Sequence, residues 1–168
     1  GIVVHQTGGP TAESALSQYR TPKANGAHFL IDKDGTIYQT ASLYRVTNHV
    51  GKMQSRCVIT RQCAPAEFKR MHGLETAWKP TQISRIEEKK PFPDRFPSNT
   101  DAVGIELVGE APGKENKEVF VDVTDAQNAS LQWLTKELME TLNVSMSEVY
   151  KHPHIARKNK TEARSAKW

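Results

Sequence analysis

Asn25-Gly26-Ala27-His28-Phe29-Leu30-Ile31-Asp32-Lys33-Asp34-Gly35-Thr36-Ile37-Tyr38-Gln39 reads as a strand, a tight turn and a second strand. Asp-Gly supplies the backbone freedom a hairpin turn needs, and apolar residues flank it on both sides. A hairpin over 27–40 needs further strands to bury its apolar face. Upstream, Ile2-Val3-Val4-His5 reads as a short buried strand, followed by a turn at Gly8-Gly9-Pro10 and a helix over about 11–20. Downstream, Ala102-Val103-Gly104-Ile105-Glu106-Leu107-Val108-Gly109 holds a strand over 103–108. In it Val103, Ile105 and Leu107 share one face, while Gly104, Glu106 and Val108 share the other. Thr124-Asp125-Ala126-Gln127 has the form of a capping box, and Leu131, Leu134, Leu138 and Leu142 repeat behind it at helical spacing as a buried stripe. Together these elements predict an α/β fold, a central mixed β-sheet flanked by α-helices, with the functional cleft at one end of the sheet.

At 168 residues the chain suits a single domain, 1–168, with enough length to bury a substantial core. A charged fraction of 25% against 37% hydrophobic is that of a globular protein, and no run approaches the roughly 18 apolar residues of a membrane span. The net charge of +4 favours an anionic partner. Nucleic acid fits that charge, but no zinc-finger, RNP or basic-helix signature accompanies it, so none is expected as a partner. A helix is expected from Pro65 to about Met71, then an irregular insertion over 73–99, rich in proline and charge, forming a surface loop or a lid. Cys57 and Cys63 enclose five residues, a separation that suits either a local disulfide or two buried thiols. With a core strand beginning at Ile2 and no initiating methionine or leader, the chain is expected to be cut from a longer polypeptide whose targeting signal is not visible.

His152-Pro153-His154-Ile155-Ala156-Arg157-Lys158-Asn159-Lys160-Thr161-Glu162 carries a histidine, a lysine eight residues on and a carboxylate ten residues on. Zinc takes imidazole nitrogen and carboxylate oxygen, and a catalytic site keeps three protein ligands and one open position. His152 and Glu162 supply two, and His5, at the exit of its strand, a third. Lys160 then sits two residues from a ligand, within reach of the oxygen a metal polarises. His154 is a rival to His152, because in an extended segment the two side chains point the same way. Glu106 on a buried strand is costly unless it is paired or functional, and Gly104 beside it leaves room for a substrate.

In this order, with the histidine-to-carboxylate loop last, the "HFLIDKDGTIYQ" hairpin, "VGIELVG" and the H…K-x-E loop resemble the type 2 N-acetylmuramoyl-L-alanine amidases. That family includes the amidase of muropeptide recycling, certain phage lysins and animal peptidoglycan recognition proteins. The resemblance runs from His5 to Trp168, interrupted mainly between about 55 and 100. It implies one zinc ion per chain held by His5, His152 and Glu162, with Glu106 the catalytic glutamate and Lys160 the oxyanion-stabilising lysine. His152 rather than His154 keeps the family spacing to Lys160 and Glu162. The family usually has Asp or Cys where this chain has Glu162, the same charge as Asp on one more methylene. His49, in Asn48-His49-Val50-Gly51, matches a histidine-glycine segment beside the cleft and is expected to contact substrate.

The resemblance further implies hydrolysis of the amide between N-acetylmuramic acid and L-alanine, with peptidoglycan or muropeptides as partners. A secreted or periplasmic site of action and a bacterial or phage origin are expected. Recycling, lysis and an antibacterial toxin all need this chemistry. The long insertion and excised-looking N-terminus favour an effector or lysin domain, an effector also having a delivery or immunity protein. Two other readings remain: a peptidoglycan-binding module without catalysis, and a zinc peptidase cutting within the stem peptide.

Overall fold

The computed structural model describes residues 1–114 and 117–168. Its sheet has five strands in the order β3-β2-β4-β1-β5. These are β1 (Ile2–Gly8), β2 (Phe29–Ile31), β3 (Ile37–Gln39), β4 (Val103–Glu110) and β5 (Val149–Lys151). β2, β4, β1 and β5 run parallel, and β3 alone runs antiparallel, joined to β2 by the hairpin. The α/β fold with a mixed sheet is therefore as the sequence predicts. At the hairpin turn Asp32 N–H donates to the Thr36 carbonyl (2.9 Å) and Gly35 N–H to that of Asp32 (2.9 Å). Gly35 has φ +89°, and a Cβ there would stand 2.9 Å from both the Ala126 carbonyl oxygen and Ser130 Oγ, so glycine is required twice over.

One face of the sheet is covered by α5 (Asp125–Leu142), which lays Leu131, Leu134 and Leu138 on Ile2, Val4, Phe29, Ile31, Val103, Ile105 and Leu107. The capping box is present in both directions, between Thr124 and Gln127. Gln127 also donates to the carbonyls of Ile31 and Val108, which pins the start of α5 to two neighbouring strands. Leu142 departs from the expected stripe. It ends the helix and is 38% exposed.

The opposite face carries the smaller elements. α1 (Ala12–Tyr19) packs Ala12 and Ala15 on Leu30 and Val108, and a second cluster of Val3, Val50, Met53, Phe96, Ile155 and Ala156 covers the β5 side. The short α6 (His152–Ile155) comes directly after β5.

The irregular insertion expected over 73–99 is corrected. α3 (Pro65–Thr76) runs on past Met71, and α4 (Pro80–Glu87) begins after three residues. Both helices begin at a proline, where the missing N–H costs nothing and the fixed φ favours a first turn. They bury Met71 and Ile83 completely, and the buried Glu87 is paired with Lys90 (2.6 Å). Before them, α2 (Arg56–Thr60) is capped by Ser55, and a Cys57–Cys63 disulfide, Cα–Cα 5.4 Å, ties it to the short loop ahead of α3. Among the described residues no helix is long and apolar enough to cross a membrane.

Candidate functional site

The strand register assembles the site. β1 places His5 beside Glu106 of β4, and Val4 beside Lys151 of β5, so His152 arrives level with His5. Both His5 and Glu106, each in the middle of its strand, point away from the α5 layer into a cleft of about 610 Å³ over the opposite face of the sheet.

Three buried donors meet there. His152 Nδ1 lies 2.8 Å from Glu162 Oε1 and 2.8 Å from His5 Nδ1, and His5 Nδ1 lies 3.6 Å from the same carboxylate oxygen. The far side of each ring is held elsewhere: His152 Nε2 at 2.8 Å from the Val50 carbonyl, His5 Nε2 at 2.9 Å from His49 Nδ1. Both rings therefore turn Nδ1 to the common point, the arrangement in which an outer partner orients a metal-binding imidazole. The protonation states suit a divalent cation as well. Burial and then the neighbouring His152 push His5 down to about 4. Burial pushes Glu162 up, but the adjacent His152 and His5 rings outweigh it and hold the carboxyl near 2. A neutral imidazole and an ionised carboxylate are the forms that ligate. Two imidazoles and a carboxylate within 4.8 Å of one another fit zinc.

Glu106 stands apart from this trio. Its Oε2 is buried and, among the described residues, has no hydrogen-bond partner. Burial first, then the charge of Glu162, raises its carboxyl to about 8, with Lys158 opposing. An unpaired carboxyl on the wall of a cleft, beside a cation site, is equipped to take a proton and return it.

Several expected residues sit differently. His154 is exposed and outside the trio. The segment is helical rather than extended, so residues two apart leave on opposite sides. Lys160 is exposed and does not line the cleft, whereas Lys158 does. Asn159 explains the difference: its Oδ1 accepts from the Thr161 backbone and hydroxyl while its Nδ2 donates to the Glu118 carbonyl, a local turn that faces Lys160 outward. His49 does line the cleft, but its Nδ1 is committed to His5. Burial, then His5 and His28, push its ring down to about 2. The space left by Gly104 belongs to His49 and not to a substrate, since a Cβ there would come within 2.9 Å of the His49 ring.

Asn99 went unrecognised in the sequence. Its Oδ1 accepts from the backbone N–H of His49 (3.0 Å) and of Val50 (2.8 Å), fixing the segment that holds both ligand histidines. Nothing local in Ser98-Asn99-Thr100 signals that role, because its partners lie about 50 residues away.

A family model described as N-acetylmuramoyl-L-alanine amidase matches residues 1–164. Comparison with the curated proteins finds no match. Among solved structures, AmpDh3 from Pseudomonas aeruginosa in complex with anhydromuramic pentapeptide superposes with a TM-score of 0.62 at 18% identity, covering 95% of this chain and 53% of that one. The E. coli amidase AmiD, solved with anhydro-N-acetylmuramic acid-L-Ala-D-γ-Glu-L-Lys, gives 0.62 at 17%, covering 95% and 51%. A selenomethionine AmpD derivative gives 0.59 at 20%, covering 99% and 79%. At these identities the likeness shows a shared fold, and the chain spans about half the length of the first two.

Proposed function

Because the chain belongs to the N-acetylmuramoyl-L-alanine amidase family, we propose that it is a zinc-dependent hydrolase of the amide between the lactyl group of N-acetylmuramic acid and L-alanine. The observation that carries this reading is the convergence of His5, His152 and Glu162 beside the unpaired Glu106 carboxyl in one cleft. Zinc bound by those three would supply Lewis acidity toward the carbonyl and lower the pKa of water. The remaining work falls to this chain's own side chains.

Glu106 takes the proton of the attacking water at Oε2, the water oxygen bonds to the lactyl carbon, and the carbon–nitrogen bond breaks as Glu106 returns the proton to the departing L-alanine amine. A lysine ammonium meets the developing oxyanion. Its position along the cleft favours Lys158 for that role over the outward-turned Lys160. His49 and the Val50 carbonyl keep the two imidazoles aimed and do not need to touch substrate. A muropeptide substrate draws support from the ligands of AmpDh3 and AmiD. The Cys57–Cys63 disulfide supports an oxidising site of action, periplasmic or secreted, as for an effector or lysin domain.

The test is hydrolysis of a purified muropeptide, read by chromatography, with chelator and with zinc restored. Wild-type protein should cut, stop on chelation and recover with zinc, and Glu106→Gln should retain zinc yet lose most turnover. Undiminished hydrolysis by the chelated protein or by Glu106→Gln would remove the proposed chemistry.

A further inference from the structure

The turn between α3 and α4 carries Trp78 at φ 51°, in the left-handed region. Trp78 is the left-handed residue of a helix C-terminal cap: Trp78 N–H donates to the Glu75 carbonyl (3.0 Å) and Lys79 N–H to that of Leu74 (3.0 Å). The cap turns the indole outward, where it is 69% exposed. It is held in place from one side: the Arg157 guanidinium lies over the ring, 4.8 Å from its centroid, and is itself paired with Glu75 of α3. Arg157 directly precedes Lys158, which lines the cleft, and consecutive Cα atoms are about 3.8 Å apart. The ring also borders an open depression of about 530 Å³, walled by Trp78, Lys79, Pro80, Thr81, Gln82 and Arg85. The helical pair α3–α4 thus sets an exposed aromatic surface against Arg157, the chain neighbour of a residue that lines the proposed active site.

We propose that this depression binds a sugar ring of the peptidoglycan glycan strand, beyond the muramic acid whose amide is cut. The inference rests on the hydrolase reading for the identity of the strand. A hexosamine ring has an apolar C–H face suited to an indole and a rim of hydroxyl and acetamide groups. Thr81 and Gln82 offer donors and acceptors for that rim. Lys79 and Arg85 add positive charge, complementary to the carboxylates that peptidoglycan displays along its length. The same two cations disfavour a wholly apolar partner.

The probe is the β-1,4-linked tetramer of N-acetylglucosamine, titrated against tryptophan emission and by calorimetry. Trp78→Gly keeps the turn, since glycine adopts positive φ freely, and removes the ring; Trp78→Phe retains an aromatic face. Saturable binding is expected in the wild type, weakened about tenfold in Trp78→Gly and within about threefold of wild type in Trp78→Phe. Trp78→Gly should raise KM for intact sacculi about fivefold and leave kcat/KM for a soluble N-acetylmuramoyl tripeptide within about twofold. Tetramer binding that is absent, or unchanged by Trp78→Gly, overturns the proposal. Equal losses on both substrates also overturn it, making Trp78 a prop for the Arg157 loop. Tetramer binding through Trp78 by a protein that cuts no muropeptide would leave the sugar site standing and remove the hydrolase reading instead.

Discussion

Replacing Glu106 by glutamine should stabilise the metal-free protein, and increasingly so as pH rises. The wild-type carboxyl is buried at Oε2 without a partner and titrates at about 8 rather than 4.5, through burial and then the charge of Glu162. Between those two values the folded protein keeps a proton that the unfolded chain releases, so folding binds protons and stability falls as pH rises. Below about 4.5 both states are protonated and the penalty is absent; above about 8 it is complete. Taken whole, that window is worth roughly 5 kcal/mol at about 1.4 kcal/mol per pH unit. Glu106 is partly open to the cleft, and solvent screening reduces this to about 2 kcal/mol. Glutamine has the same shape and no proton to lose. Urea melts of chelated wild type and Glu106→Gln should therefore coincide near pH 5 and diverge by about 2 kcal/mol at pH 8.5. The other titrating groups are common to both proteins and cancel in the difference. A difference that is independent of pH, or a wild type that gains on the variant at high pH, would refute the buried, unpaired carboxyl.

Lys158→Ala should lower kcat about a hundredfold with little change in KM, and Lys160→Ala should stay within about threefold in steady-state assays. The reverse order would return the oxyanion role to Lys160. His49→Ala should weaken zinc retention about 10–100-fold in competition with a chromophoric chelator, because His5 loses the partner that aims its ring. Unaltered retention would make His49 a packing residue. Oxidised protein should show no free thiol when denatured unreduced, and Cys57→Ser with Cys63→Ser should cost about 2 kcal/mol in thermal unfolding. Alkylation of both cysteines without reductant would count against the bond.

Much of the site was legible because β-strands repeat every two residues. The apolar runs at Ile2–Val4 and Val103–Val108 define faces, and the faces put His5 and Glu106 on the side away from α5. The capping box at Thr124 was equally local, and both its hydrogen bonds form. What escaped depends on long-range packing. Gly104 reads as open space until His49, from a distant loop, fills it. Pro80, counted into a proline-rich irregular insertion, instead opens a helix whose buried face includes Ile83. His154 looked equivalent to His152 only while the segment was taken as extended; in the helix about half a turn separates them, and they face opposite sides. Lys158 and Lys160 are distinguished by the side-chain hydrogen bonds of Asn159, which no spacing rule anticipates.

The central claim is the identity of the bond cut, and isotope tracing reads it directly. A disaccharide tetrapeptide muropeptide digested by the zinc-loaded protein in ¹⁸O-water, then analysed by mass spectrometry, should yield an unlabelled peptide with a free L-alanine amine. The single heavy oxygen should reside in the lactyl carboxylate of the sugar fragment, because water attacks that carbonyl. Label in a shortened stem peptide would contradict this account in favour of a peptidase, and an intact, unlabelled muropeptide would contradict it in favour of a binding module.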